Sequence, residues 1–110
     1  MVRWIISHAE YTEFRNPDFQ LRTANFYIPG LFSGGEAALG ITISRKAGKA
    51  VQRNLLKRRI KAWVREHEEL IPQGIKFVLS ARSGATELAW QDLCTQLTSI
   101  CVSLQKRAMA

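Results

Sequence analysis

A chain of 110 residues with 46% apolar content is long enough for one compact core and too short for two ordinary domains, so residues 1–110 read as a single domain. No apolar run approaches the roughly 20 residues that a membrane helix needs, and Met1 to Ile6 lacks the charged-then-apolar layout of a secretory signal, so the expected location is the cytoplasm. The net charge of +7 is unevenly placed: residues 45–65 hold nine of the sixteen Lys and Arg residues and no acid. Such a cluster repels itself, and a polyanionic partner, by default a nucleic acid, is what makes it tolerable.

In chain order, Ser7 followed by Glu10 fits a capping box, which predicts a short helix from His8 to about Arg15 that carries Tyr11 and Phe14 and stops at Asn16-Pro17-Asp18. Asn25 to Ile28 reads as a strand, with Pro29-Gly30 and Ser33-Gly34-Gly35 as turn material. Leu39 to Ser44 reads as a second strand, Ile41 and Ile43 alternating with Thr42 and Ser44. From about Lys49 to Leu70 the apolar positions recur at helical period, ending before Pro72 and Gly74. Ile75 to Ala81 is apolar on both pleat faces near its middle, as an interior strand requires. After the Ser83-Gly84 turn, Trp90, Leu93, Cys94, Leu97, Ile100, Cys101 and Leu104 trace an amphipathic final helix.

At about 100° per residue, the long helix gathers Leu55, Leu56, Ile60, Trp63, His67 and Leu70 on one broad apolar side and Asn54, Lys57, Arg58, Lys61 and Arg65 on the other. Lys57, Lys61 and Arg65 stack at i, i+4, i+8, a like-charge arrangement that costs an isolated helix stability. A merely solvated face would intersperse acids there. Cys94 and Cys101, on one helix, stand about 10 Å apart, beyond the reach of a disulfide, and are expected as free thiols. No His or Asp joins them at the spacing of a zinc site. His8 and His67 have no Ser, Cys or paired carboxylate at hydrolytic spacing, so neither is expected to be catalytic.

The block Leu39 to Lys61 contains Ser44-Arg45-Lys46 closing a strand, Gly48-Lys49-Ala50-Val51, and then Arg53-Asn54 with further Lys and Arg along a helix. It resembles the signature of the bacterial ribonuclease P protein family. Val78 to Leu88 is similar to that family's last strand and following turn, and together the two blocks extend the resemblance over roughly Phe26 to Leu104. The resemblance implies an α+β, single-domain α/β sandwich of the ribosomal protein S5 domain 2-like kind. Its parts are a short N-terminal helix, a central mostly antiparallel sheet, a left-handed crossover, a long basic helix and a C-terminal amphipathic helix. It also implies the protein subunit of a tRNA-processing endoribonuclease whose catalytic site lies on its RNA subunit. The implied partners are that catalytic RNA and precursor tRNA, with no membrane and no small-molecule substrate. Mg2+ is expected to be held mainly by the RNA, with no catalytic or metal-binding residue on the protein.

Carried over position by position, Arg53 and Asn54 match the first signature residues, Lys57 and Arg58 the next basic pair, and Arg45 and Lys46 the pair after the strand. Lys61 stands where the family usually has arginine; with Lys49 and Arg65 these positions form the implied surface for the catalytic RNA. Leu55 departs from the pattern, replacing the second arginine of Arg-Asn-Arg. The implied cleft for the 5′ leader lies between the first helix and the sheet. Tyr11 is its best stacking candidate, Phe14 divides evenly between cleft and core, and Tyr27 fits sheet packing better than the cleft. Thr42 and Ser44 share a strand face that could border it. The family tends to place two aromatics four apart on the first helix, behind a basic tail; here Phe14 follows Tyr11 at three, Arg15 follows at four, and only Arg3 precedes.

Two other functions fit parts of the sequence. A non-enzymatic RNA-binding or ribosome-associated protein of the same fold would use the basic helix equally well. A membrane-surface protein could use a basic amphipathic helix, although glycine and turn residues placed for a compact sheet argue against it.

Overall fold

The computed structural model describes residues 2–109. In chain order the elements are β1 (Arg3–Trp4), α1 (His8–Thr12), β2 (Phe19–Arg22), β3 (Phe26–Phe32), β4 (Ala38–Ile43), α2 (Ala50–Glu66), β5 (Ile75–Ala81) and α3 (Trp90–Met109). The strands form one sheet in the order β1-β4-β5-β3-β2. Apolar on both faces, β5 takes the middle, parallel to β4 and antiparallel to β3. At the edges β1 runs parallel to β4 and β2 antiparallel to β3. The α+β architecture is the implied one, but the sheet is evenly mixed rather than mostly antiparallel. Adjacent parallel strands need a crossover, and α2 supplies it between β4 and β5. The second parallel pair comes from β1, two residues long and invisible to any alternation pattern.

One face of the sheet carries the main core. Phe26 and Ile28 of β3, Leu39 of β4 and Ile75, Phe77 and Leu79 of β5 pack against Leu56, Ile60, Trp63 and Val64 of α2 and Leu93, Leu97, Ile100 and Leu104 of α3. Each large side chain fully removed from water stabilises the fold by about 1.5–3 kcal/mol. The long helix ends at Glu66 and a 3-10 turn, Glu68–Leu70, completes the segment read as one helix. At that junction the His67 ring stacks on Trp63, centroids 4.4 Å apart, with Nδ1 2.8 Å from the Trp63 carbonyl oxygen, so His67 is a packing residue. The other face holds a smaller cluster of Ile5, Phe14, Ala38 and Val78, against which Tyr11 and Leu31 pack.

Pro29 and Gly30, expected as a turn, lie inside β3. The paired residues pass from Tyr27 opposite Ser80 to Gly30 opposite Phe77, so the missing N–H of Pro29 falls where no pairing with β5 is made. The Phe19 ring of edge strand β2 lies directly over Gly30, and a Cβ there would collide with it. Two apparent strand breakers are thus accommodated by one aromatic neighbour and one gap in the ladder.

Cys94 and Cys101 are free thiols. Burial against the core pushes the Cys101 thiol up to about 12, and burial also raises Cys94. Because the thiolate is the reactive form, native protein at neutral pH should leave Cys101 unmodified by iodoacetamide and Cys94 only slowly modified. Peptide mass spectrometry after timed alkylation checks this, with both thiols reacting rapidly in denaturant.

Candidate nucleic-acid interface

The start of α2 is built from side-chain bonds to exposed backbone. Ser44 Oγ accepts the Lys46 N–H at 3.1 Å, and Gln52 Oε1 accepts the Lys49 N–H at 3.0 Å. Thr86 Oγ1 donates to the Ala47 carbonyl at 2.8 Å, tying this entry to the loop after β5. Arg53 is partly occupied here, its Nε donating to the Gly48 carbonyl at 3.1 Å. Beyond it, Asn54, Lys57, Arg58 and Arg65 are exposed, as are Arg45, Lys46 and Lys49 ahead of the helix. Asn54, Lys57, Arg58 and Lys61 border a shallow groove of about 540 Å³ together with Val51. Lys61 leans over the Trp4 ring, its Nζ 5.4 Å from the centroid. The ion pairs among the described residues use Arg3 and Lys76 alone, so the charge of the segment from Arg45 to Arg65 points outward without an acidic partner.

Leu55 is 38% exposed, at the margin of the packed side, with Val51 79% exposed one turn before it. A guanidinium at this position can reach water along its stem. Leu55→Arg should therefore change stability by no more than about 0.5 kcal/mol, as surface substitutions do. Thermal melting checks it; a loss of about 1–3 kcal/mol would show that the leucine is packed after all.

On the opposite sheet face, α1 and the exposed parts of β3, β4 and β5 enclose a cleft of about 420 Å³. Tyr11, Phe14, Tyr27 and Thr42 all line it, together with His8, Arg15, Pro29, Val78 and Ser80. Tyr27, Ser80 and Thr42 come together because they are register partners across the three adjacent strands. Ser44, the fifth candidate, lies outside this cleft and borders a neighbouring hollow of about 400 Å³ with Lys46 and Arg82. Ser80 lines both hollows. His8, Arg15, Ser80 and Arg82 are not among the cleft residues expected from the sequence. Only register reveals Ser80, whereas the position of Arg15, one turn after Tyr11, is a helical-spacing signal that could have found it.

The three aromatics occupy different situations. Tyr11 is half-buried and its hydroxyl is engaged: it accepts the Ile41 N–H at 3.2 Å and lies 3.1 Å from the Ile5 carbonyl oxygen and 3.3 Å from that of Ile41. It thus satisfies the β4 backbone where β1 has ended. The ring crosses Gly40 so closely that a Cβ there would stand 2.8 Å from it, which is why glycine occupies that strand position. Phe14 is buried and forms the cleft floor. Tyr27 is half-buried, and the guanidinium of its cross-strand partner Arg22 sits 4.7 Å from the ring centroid. Arg22 belongs to β2, on the side of β3 away from β5 and β4, and Tyr27 lines the cleft.

Charge also positions α1. Ser7 caps it, Oγ accepting the Glu10 N–H at 3.2 Å, but the Glu10 carboxylate turns to Arg3 (2.6 and 2.8 Å) and Lys76 (3.0 Å), and Lys76 also reaches Glu13 at 2.9 Å. The Arg3 hydrogen bonds, helped by Lys76, lower the Glu10 carboxyl from the ordinary 4.5 to about 2. A depressed folded-state value means that this stabilisation is complete above the ordinary carboxylate range and is lost as pH falls from 4.5 toward 2. Amide resonances of Tyr11 and Ile41 should therefore shift as α1 loosens in that window. Glu10→Gln should abolish the titration and produce the looser α1 already at neutral pH.

Among the described residues no three His, Cys, Asp or Glu side chains converge as a metal cage would require, and no helix is long and apolar enough to cross a membrane. Lys57 and Lys61 also reach a small hollow beside Trp4, Ile5 and Tyr11, so the basic side of α2 meets the base of α1 at the β1 edge.

Fold and site together define a class: a small basic α+β protein with an uncompensated cationic helix and an aromatic-lined cleft on the other face of its sheet. The Ribonuclease P family model matches residues 3–105, and the chain belongs to the ribonuclease P protein family. It is accordingly the protein component of a tRNA-processing ribonuclease that works with an RNA subunit. It is similar to ribonuclease P protein components from a Geobacter species (31% identical over 105 residues, 94% of this chain and 89% of that one) and from Halalkalibacterium halodurans (30% over 94 residues, 84% and 79%). The fold matches the RNase P protein of Staphylococcus aureus with a TM-score of 0.80 at 22% identity, covering 94% of both chains. It also matches that of Thermotoga maritima with a TM-score of 0.76 at 25% identity, covering 84% of this chain and 88% of the other.

Proposed function

We propose that the basic side of α2, with Arg45, Lys46 and Lys49 before it, binds the catalytic RNA of ribonuclease P, and that the cleft holds the single-stranded 5′ leader of precursor tRNA. The carrying observation is the run of cations without an acidic partner among the described residues, together with a cleft of aromatic and hydroxyl-bearing residues on the other face of the sheet. Phosphate contacts supply affinity without reading sequence, and aromatic faces stack on unpaired bases of any identity, as a processing enzyme acting on many leaders requires. Hydrolysis belongs to the RNA subunit. Mg2+, held mainly by RNA phosphates, supplies the activated nucleophile and leaving-group stabilisation there. The protein's share is positioning and electrostatics, carried out in the cytoplasm.

The test is reconstitution. Added to a ribonuclease P RNA at low magnesium, the protein should restore removal of the leader and give the mature tRNA 5′ end. No restoration, with equal binding to ribosomal RNA, would favour a ribosome-associated RNA-binding protein of the same fold.

A further inference from the structure

We propose that Arg15 is a specificity-determining residue of the cleft that grips a phosphate of the leader, giving leader recognition an ionic component of its own; this rests on the cleft being the leader site. Arg15 closes the 3-10 turn Glu13–Arg15 after α1 and lines the cleft while remaining exposed. The two acids on the same segment are engaged elsewhere, Glu10 by Arg3 and Lys76 and Glu13 by Lys76. The guanidinium is therefore left without a carboxylate among the described residues. Thr42 and Ser80 likewise bring side-chain hydroxyls to the cleft, and the floor between is apolar, from Phe14, Pro29 and Val78.

A cation at the rim, the half-buried Tyr27 in the lining, hydroxyl-bearing residues beside it and an apolar floor match the parts of one nucleotide. Its base lies on Tyr27, its ribose near Thr42 and Ser80, and its phosphate at Arg15. An unpaired guanidinium offers a phosphate two parallel N–H donors. Such a contact fixes the strand without reading its sequence. A leader held by stacking alone would leave the precursor-over-mature affinity ratio insensitive to salt, whereas one held also through a phosphate would not. The alternative use of a guanidinium, stacking flat on a base, requires its plane and not its charge.

The experiment uses the reconstituted holoenzyme and measures the ratio of precursor to mature tRNA affinity over a range of salt. Wild type, Arg15→Ala and Arg15→Lys are compared, with thermal melting of each protein. A wild-type ratio of one would defeat the cleft reading and this proposal together. With a ratio above one, it should fall with salt, and Arg15→Ala should make the log–log slope shallower by about 0.7, the value for one single-strand phosphate. Arg15→Lys should keep most of the wild-type slope. Replacing the contacted leader phosphate by a neutral methylphosphonate should reproduce the Arg15→Ala behaviour with the protein unchanged and should have no further effect on that variant. An unaltered slope in Arg15→Ala, or a lysine variant as impaired as alanine at the wild-type slope, would overturn the proposal in favour of a rim residue or a stacking one. Should Arg15→Ala prove unstable, a methylphosphonate scan of the leader on wild-type protein still decides: no position that flattens the slope would overturn it.

Discussion

Raising salt from about 50 to 200 mM should weaken assembly of this protein with the ribonuclease P RNA subunit by about 10³ to 10⁵, the loss expected when six to ten phosphates are neutralised. The seven exposed or half-exposed cations free of internal bonds, from Arg45 to Arg65, supply contacts on that scale. Arg58→Ala should weaken assembly, make the log–log slope shallower by about one unit and leave thermal stability unchanged, because the side chain touches nothing that the fold needs. Arg53→Ala should differ. Its Nε holds the Gly48 carbonyl at the helix entry, so melting and RNA affinity should both fall. Equilibrium binding across a salt series separates the two cases, and a nearly flat dependence would remove the phosphate-contact account altogether.

Truncating Tyr11 should cost both fold and function. Tyr11→Phe leaves the Ile41 N–H and two carbonyls without their shared hydroxyl, a loss of about 1–3 kcal/mol. Tyr11→Ala should lose about 2–4 kcal/mol, because the ring that spans Gly40 goes as well and α1 loses its main apolar tether. With α1 adrift, one wall of the cleft is gone and preference for precursor over mature tRNA should collapse. Tyr27→Ala should instead spare most of the stability and remove about 1–3 kcal/mol of precursor affinity, the size of one base–aromatic stack. Melting curves set beside precursor and mature affinities distinguish an anchor from a stacking platform. Equal precursor loss with equal stability in both variants would show that Tyr11 stacks too.

The long helix was legible because one stripe had to be apolar and the other had no acids to balance it; the buried set Leu56, Ile60 and Trp63 fell where periodicity put it. The final helix and the interior strand β5 followed from the same kind of pattern. Edge strands were not legible: β1 and β2 are two and four residues long, and their placement depends on partners far along the chain. Pro29 and Gly30 misled because local propensity cannot register that the Phe19 ring lies over one of them. Four of five cleft candidates converge, yet nothing local to Tyr11 hints that its hydroxyl is bound to β4 backbone, since that contact spans thirty residues and forms where β1 stops short. Ser80 likewise becomes visible only when strand register is known, and the lack of a carboxylate partner for Arg15 among the described residues only when the ion pairs are.

The most direct test of the two-surface account is cross-linking from single cysteines in the assembled enzyme with precursor tRNA. Cys94→Ser removes the more accessible native thiol, and Cys101 is shielded by burial. A photo-cross-linker on Thr42→Cys should label the leader, and one on Arg58→Cys should label the catalytic RNA. Leader label from position 58 with none from position 42, or catalytic-RNA label from position 42, would contradict the account.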